Sequence, residues 1–185
     1  KEIKELEAAQ GKAPSKITEG GACFTKSARV LTPSGYRELH TLKEGDVVES
    51  FYMGKIQRET IRKIVCHGLS SVYDFELSNG RTIASTDHHT VLTKNGWEKL
   101  GDVKVDDVLI IFNETTNREE TVTLTKKENR RVELVYNLHT TGPHNFVVNG
   151  IVAHNFTFAR RLRSFYHSAM EKFAVFPVQK SEVVF

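Results

Sequence analysis

Long apolar runs are absent from this sequence of 185 residues. No stretch approaches the roughly 18–20 consecutive apolar residues that a membrane-spanning helix requires, so such a helix is excluded. The first ten residues, KEIKELEAAQ, are charged where an export signal needs an apolar core. We therefore expect no export signal and no membrane partner.

Cysteine is scarce as well, with only Cys23 and Cys66 in the chain. Two cysteines cannot build a disulfide framework, and these two lack the C-x-x-C spacing of zinc and redox sites. A metal site formed by Cys66, His67 and either His88 or His89 would have irregular ligand spacing. We predict that the protein binds neither a metal nor a cofactor, and that it works in a reducing, intracellular compartment.

A strong excess of one charge sign is also missing. The formal net charge is +3, but nine of the 26 basic and six of the 23 acidic side chains lie outside residues 23–155, which leaves that segment without net charge. Nucleic-acid binding depends on a basic surface that neutralises phosphates. The Arg160–Arg163 cluster has the composition of a solvated helix face, so we predict no nucleic-acid partner.

The composition divides the chain into three regions. Residues 1–22 start with a helix-favouring segment that ends in glycines and a proline, and residues 156–185 contain an amphipathic helix that ends before Pro177. Between them, residues 23–155 contain short, β-branched segments separated by turns such as PSG, SNG, KNG and VNG. We therefore predict an all-β domain at 23–155, flanked by two helical segments.

An internal repeat is the most informative pattern of the middle region. Residues 30–48, VLTPSGYRELHTLKEGDVV, align without a gap with residues 91–109, VLTKNGWEKLGDVKVDDVL. Eight of the nineteen aligned positions are identical, which indicates a duplication. Each copy has the pattern strand, turn, strand, short helical turn, strand. We expect two halves related by a pseudo-two-fold axis, neither of which buries its apolar face alone.

Residues at both ends of this region have the chemistry of chain cleavage. Cys23 follows the small residues Gly21 and Ala22, so its thiol is able to reach the carbonyl of the preceding peptide bond, although an ordinary buried cysteine fits the same pattern. At the other end, the side-chain amide of Asn155 is able to attack its own backbone carbonyl and release the downstream polypeptide. Neighbouring histidines are suited to polarise that carbonyl and to protonate the leaving amine.

Four motifs, taken together and in order, resemble the sequence blocks of inteins. They are the opening Cys23-Phe24 with RVLTPSGYRELHTLKEGDVV, the Thr86-x-x-His89 spacing, and two closing blocks within 135–155 that end in His154-Asn155. The resemblance covers residues 23–155. It implies the Hint fold shared by inteins and Hedgehog autoprocessing domains, and that fold would require an internal repeat of this kind.

The resemblance implies autocatalytic, single-turnover processing in which the flanking polypeptides are the substrates. Cys23 would attack the carbonyl of Ala22 and form a thioester. Thr86 would hold the same site, and His89 would hydrogen-bond the Cys23 nitrogen and protonate it as it leaves. Strand alternation would turn His88 to the opposite side.

The resemblance also implies a second cut at the other end of the domain. Asn155 would cyclise to a succinimide and cleave the chain before Phe156. His154 would donate to the Asn155 carbonyl, and His144 would act as the base or positioning group for its side-chain amide.

Two positions depart from the intein pattern. Phe156 stands where a splicing intein has Ser, Thr or Cys, so water or an external thiol or amine would accept the thioester. In this respect the chain is similar to the bacterial intein-like domains of type A. Asn137 stands where the closing block often has Asp, and an amide does not exchange protons as a carboxylate does. Residues 113–131 are too few for an inserted endonuclease.

Two other functions stay open at this point. A Hedgehog-like acyl transferase would use the same Cys23 step with a lipid nucleophile and would leave Asn155 idle. A Hint scaffold that has lost its processing activity would serve as a linker or interaction module. The fragments that the purified chain produces on incubation distinguish the three functions.

Overall fold

The structure is a computed structural model, and it describes residues 21–154 apart from Met53, Pro143 and the side chain of Asn129. The helices predicted in 1–22 and 156–185 lie outside these residues, as do Asn155 and Phe156. Within the described part, no helix has the length and apolar character needed to cross a bilayer.

Strands make up nearly all of the regular structure in this part of the chain, as the sequence predicted. They are β1 (Phe24–Thr25), β2 (Arg29–Thr32), β3 (Gly35–Glu38), β4 (Val47–Tyr52), β5 (Lys55–Leu77), β6 (Thr82–Ser85), β7 (Thr90–Thr93), β8 (Gly96–Lys99), β9 (Val108–Asn113), β10 (Arg118–Thr140), β11 (Asn145–Val148) and β12 (Ile151–His154). A single 3-10 turn at Leu39–Thr41 follows β3. The prediction of an all-β domain is confirmed. The short helical turn predicted for each copy of the repeat is present in the first copy, whereas residues 100–102 of the second copy form an ordinary turn.

All strand pairs are antiparallel, and the strands follow one another across the sheet in the order β3-β2-β11-β12-β7-β9-β10-β1-β6-β5-β4. β5 and β10 are each 23 residues long and pair with one another along much of their length. The sequence predicted shorter separate segments here. It missed the continuity because several β-bulges interrupt the alternation of buried and exposed residues along these strands.

The internal repeat recurs in the backbone geometry. In the first copy Leu31 lies opposite Tyr36, and in the second copy Leu92 lies opposite Trp97 in the same hairpin register. The following turns also match: the Lys43 N–H donates to Asp46 Oδ2 at 3.1 Å, and the Lys104 N–H donates to Asp107 Oδ2 at 2.8 Å. The hairpin and the turn closed by the aspartate therefore have the same local structure in both copies.

One main core fills the space between the two halves. Its largest fully buried side chains include Phe24, Phe75, Tyr136 and Phe146, which come from four different strands. Complete burial of an aromatic or aliphatic side chain stabilises a fold by about 1.5–3 kcal/mol. Because Phe24 belongs to this core, the residue that precedes it is held in a fixed position.

Candidate active site

Cys23 immediately precedes β1, and its side chain has no exposed surface. It packs against Val72, Val135 and Ala84, on the face of the sheet opposite to that of Phe24. Burial and the nearby thiol of Cys66 raise the pKa of Cys23 to about 12. At pH 7 such a thiol is ionised in only about one molecule in 10⁵, so its use as a nucleophile needs a proton acceptor.

Thr86 holds the backbone on both sides of the Ala22–Cys23 peptide bond. The Cys23 N–H donates to Thr86 Oγ1 at 3.0 Å, and the same hydroxyl donates to the Gly21 carbonyl at 2.7 Å. The Thr86 N–H donates to the Cys23 carbonyl at 3.0 Å. These three bonds fix the peptide bond that precedes the buried thiol.

Ser85 adds a further contact that sequence reasoning missed. Its hydroxyl lies 3.0 Å from the Cys23 carbonyl oxygen, to which it is a donor, and the side chain is completely buried. A serine in the segment TIAS has no motif that marks it. Only the pairing of β1 with β6 brings it to the site.

His89 is completely buried and stacks on Phe24, with the ring centroids 3.9 Å apart. Burial, with a smaller contribution from His154, lowers the pKa of His89 to about 3, so the ring is neutral at pH 7. Neither ring nitrogen has a hydrogen-bond partner among the described residues. The hydrogen bond predicted between His89 and the Cys23 nitrogen is not present, because Thr86 Oγ1 accepts from that nitrogen instead.

His88 points away from the core, as the sequence predicted. Its ring is partly exposed and pairs with the carboxylate of Asp87 at 2.7 Å. The physical reason given by the sequence was wrong, because His88 and His89 lie in the turn between β6 and β7 and not in a strand. The turn, and not strand alternation, separates the two rings.

His154 ends β12, opposite Thr90, the residue that follows His89. Its ring meets Trp97 edge-on, with the centroids 5.2 Å apart. Burial and the nearby His144 lower the pKa of His154 to about 4. Since His154 in turn lowers the pKa of His89, His154 is within electrostatic reach of both His144 and His89, which belong to the two predicted half-sites.

Comparison with solved structures identifies the architecture. No protein-family model and no curated protein matches the chain. Solved structures do match: a DnaB intein from Synechocystis has a TM-score of 0.69 at 21% identity, over 74% of this chain and 100% of that one. The DnaX mini intein from Spirulina platensis has a TM-score of 0.64 at 21% identity, over 72% of this chain and 99% of that one. The gp41-1 intein has a TM-score of 0.62 at 20% identity, over 74% of this chain and 100% of that one. The described chain has the intein fold. At this identity the likeness is one of fold, so the chemistry has to be argued from the residues.

The position predicted to depart from the intein pattern, Asn137, lies beside the thiol in this intein-fold domain. Phe24 pairs with Tyr136, and the same antiparallel register places Cys23 across from Asn137. Asn137 is buried, and its amide oxygen accepts from the Leu138 N–H at 2.8 Å. An amide has no proton-accepting group in this pH range, so Asn137 does not provide the base that Cys23 needs.

The segment that carries His144 is anchored by two residues that the sequence did not predict. Buried Glu59 accepts from Thr141 Oγ1 at 2.6 Å, and Asn145 bonds both the N–H and the carbonyl of Phe51, at 2.8 and 2.9 Å. His144 lies between these anchors, is exposed, and has a φ of +58°. That conformation is uncommon for a residue other than glycine and persists only where the surroundings impose it.

A metal site has no support in the geometry. Within residues 21–154, no group of three or more His, Cys, Asp or Glu side chains is arranged to hold a metal ion. Cys23 and Cys66 are not joined in a disulfide.

Proposed function

We propose that this intein-fold domain cuts its own chain at two peptide bonds, Ala22–Cys23 and Asn155–Phe156. The observation that carries the proposal is the pair of hydrogen bonds between Thr86 Oγ1 and the backbone of Gly21 and Cys23. They hold the first of these peptide bonds next to a buried thiol.

The first step is an acyl shift from nitrogen to sulfur. The Cys23 thiol loses its proton, and Sγ attacks the carbonyl carbon of Ala22. The bond from that carbon to the Cys23 nitrogen breaks, and the nitrogen takes up one proton and becomes a free amine. The products are a thioester on Cys23 and no net change in protons.

His89 is the proposed donor in this step, although it is neutral in the resting state. Negative charge develops on the Ala22 oxygen during the attack, and in a buried site such a charge raises the pKa of a neighbouring imidazole strongly. The pKa of His89 therefore rises during the attack, so that the ring is able to take up a proton and pass it to the leaving nitrogen. Its two ring nitrogens, which have no partner in the described part of the chain, are available for this transfer.

The second step is cyclisation of Asn155. Its side-chain nitrogen attacks its own backbone carbonyl carbon, the bond to Phe156 breaks, and a proton passes from the attacking nitrogen to the leaving amine. His154 is neutral at pH 7 because its pKa is about 4, so it donates an N–H hydrogen bond to the carbonyl without carrying a charge. His144 is the proposed positioning group.

The substrates are residues 1–22 and 156–185, and each molecule reacts once. Phe156 has no nucleophilic atom, so the thioester on Cys23 goes to water or to an external thiol or amine. No cofactor takes part in either step.

Intact mass measured on fresh and aged protein tests this function, with the Cys23→Ala variant as a control. Two cuts, at 22/23 and 155/156, support the proposal. An N-terminal cut that requires added lipid would instead assign a Hedgehog-like acyl transferase. A chain that stays whole with and without dithiothreitol would assign an inert Hint scaffold.

A further inference from the structure

The first step of the proposed function lacks a proton acceptor for the thiol. Cys23 is protonated at neutral pH, and Asn137, its neighbour across the strand pair, is an amide. His89 stacks on Phe24, and consecutive strand residues project to opposite faces of a sheet. His89 therefore lies on the face of Phe24, and a proton acceptor for Sγ has to come from the opposite face, where the Cys23 side chain lies.

His67 is brought to that face by a β-bulge in β5. Gly68 pairs with Val135 and Cys66 pairs with Tyr136, so His67 is the extra residue between two consecutive pairs. Gly68 has a φ of +85°, a conformation that favours glycine and is typical of a bulge. Bulges of this kind redirect a side chain and are frequent next to active sites.

The surroundings of Gly21 show that the side chains of His67 and Cys23 lie close together. A methyl group placed on Gly21 would lie 3.0 Å from Cys23 Sγ and 3.7 Å from Cγ of the His67 ring. The sulfur and the imidazole therefore border the same small space. The distance from Cys23 Sγ to His67 Cγ is at most the sum of those two distances. That separation allows proton transfer directly or through one water.

We propose that His67 is the residue that accepts the proton of Cys23 Sγ and so starts the acyl shift of the proposed function. The proton moves from sulfur to a ring nitrogen of His67, and the thiolate attacks the Ala22 carbonyl. The leaving nitrogen receives its proton on the other side of the sheet, from His89. His67 then returns its proton to solvent, and His89 takes up one proton in place of the one it gave, so that both rings are neutral again and no net proton is gained or lost.

The surroundings of His67 suit a base. Partial burial lowers its pKa, so the ring is neutral at pH 7 and is able to take up a proton. The ionisable groups that face it are Cys23, Cys66 on its own strand, and His139, whose pKa is lowered by burial, by His67 itself, by Lys63 and by His144. None of these neighbours is a carboxylate, so none of them stabilises His67 in its charged form. His67 is exposed to solvent, which lets the proton leave.

The test compares His67→Gln with the parent chain and with the control His88→Gln, whose ring is outside the site. N-terminal cleavage induced by dithiothreitol and C-terminal cleavage are followed by mass in the same samples, over about pH 6 to 10. His67→Gln should slow N-terminal cleavage by about 10²-fold at pH 7, and the gap should narrow as pH rises and ionises the thiol directly. C-terminal cleavage should be unchanged, and His67→Glu should restore part of the N-terminal rate.

Other results would overturn the inference. Equal rates and equal pH profiles for His67→Gln and the parent would exclude His67 as the base while leaving the proposed function intact. A loss that is the same at every pH, or that extends to the C-terminal cut, would assign His67 a packing role. A parent chain that never cleaves at 22/23 would defeat the proposed function, and the inference with it.

Discussion

Phe24 lies directly opposite Ser85, and these two residues are separated by the same 61 positions as the two copies of the repeat. A residue that pairs with its own counterpart lies beside the pseudo-two-fold axis. The neighbouring turns obey the same relation: the Ala28 N–H donates to the Thr25 carbonyl at 3.1 Å, and the His89 N–H donates to the Thr86 carbonyl at 3.3 Å. The halves share this local backbone, and beside the axis two of three counterpart pairs differ in side chain while the third is threonine in both. The counterpart pairs are Cys23 with Ala84, Thr25 with Thr86, and Ala28 with His89.

Cys23→Ala should abolish the N-terminal cut and spare the C-terminal cut, because only Cys23 is placed to carry the thioester. The measurement is the mass of the chain after incubation with dithiothreitol. If residues 1–22 were released from this variant at the parental rate, simple hydrolysis or Cys66 would be responsible.

Thr86→Ala should slow N-terminal cleavage by about 10-fold or more and should lower stability by about 1–3 kcal/mol, because the buried Cys23 N–H loses its acceptor. Thr86→Ser keeps the hydroxyl and should retain most of the rate. Thr25→Ala, at the counterpart position, is the matched control. The measurements are the cleavage rates and the urea unfolding curves of the three variants. Equal cleavage rates in all three would show that the hydrogen bonds between Thr86 and the backbone are irrelevant to the reaction.

His89→Ala should slow N-terminal cleavage by at least about 10²-fold, the usual loss when a general acid is removed, while His88→Ala should be nearly silent. The reason is burial: His89 lies in the core beside Phe24, whereas His88 is at the surface with Asp87. Rate constants from the same mass assay test this order, and the reverse order would contradict the assignment.

The stability of the domain should fall as pH drops below about 6.5. The pKa of His89 is about 3 in the folded chain against an ordinary value of 6.5, so between these values the unfolded chain binds a proton that the folded chain does not. His89 alone should contribute a slope of up to about 1.4 kcal/mol per pH unit. Urea unfolding at several pH values measures the slope, and His89→Gln should reduce it. An unchanged slope in that variant would mean that other groups dominate.

Phe156→Cys should shift the outcome from separate cuts toward ligation of the flanks. It supplies the acceptor that the thioester lacks, and an intramolecular acceptor in good geometry has an effective molarity of up to about 10⁵ M. The species to be measured is residues 1–22 joined to residues 156–185. Its complete absence while both cuts still occur would show that the two ends are held apart.

The sequence was sufficient to predict the repeat and the turns at glycine, because short-range spacing determines both. The site residues were proposed from the resemblance to inteins, and their roles stay predictions. The sequence was not sufficient for the two long strands, since their bulges break the period of two. The contacts of Ser85, Glu59 and Asn145 were also missed, because each depends on a partner more than 60 positions away. The role of Thr86 as the acceptor for the Cys23 N–H, in place of His89, depends on distances that no motif contains.

The Thr86 hydroxyl touches the upstream chain through backbone atoms alone, the carbonyl of Gly21 and the N–H of Cys23. Backbone atoms are the same in every polypeptide, so these hydrogen bonds do not depend on which sequence precedes the domain. The exception is position 21, where any side chain would press on the Cys23 sulfur. If the domain cuts its own chain as proposed, the same cut should be possible behind different upstream sequences, with glycine at position 21 leaving the Cys23 sulfur the most room.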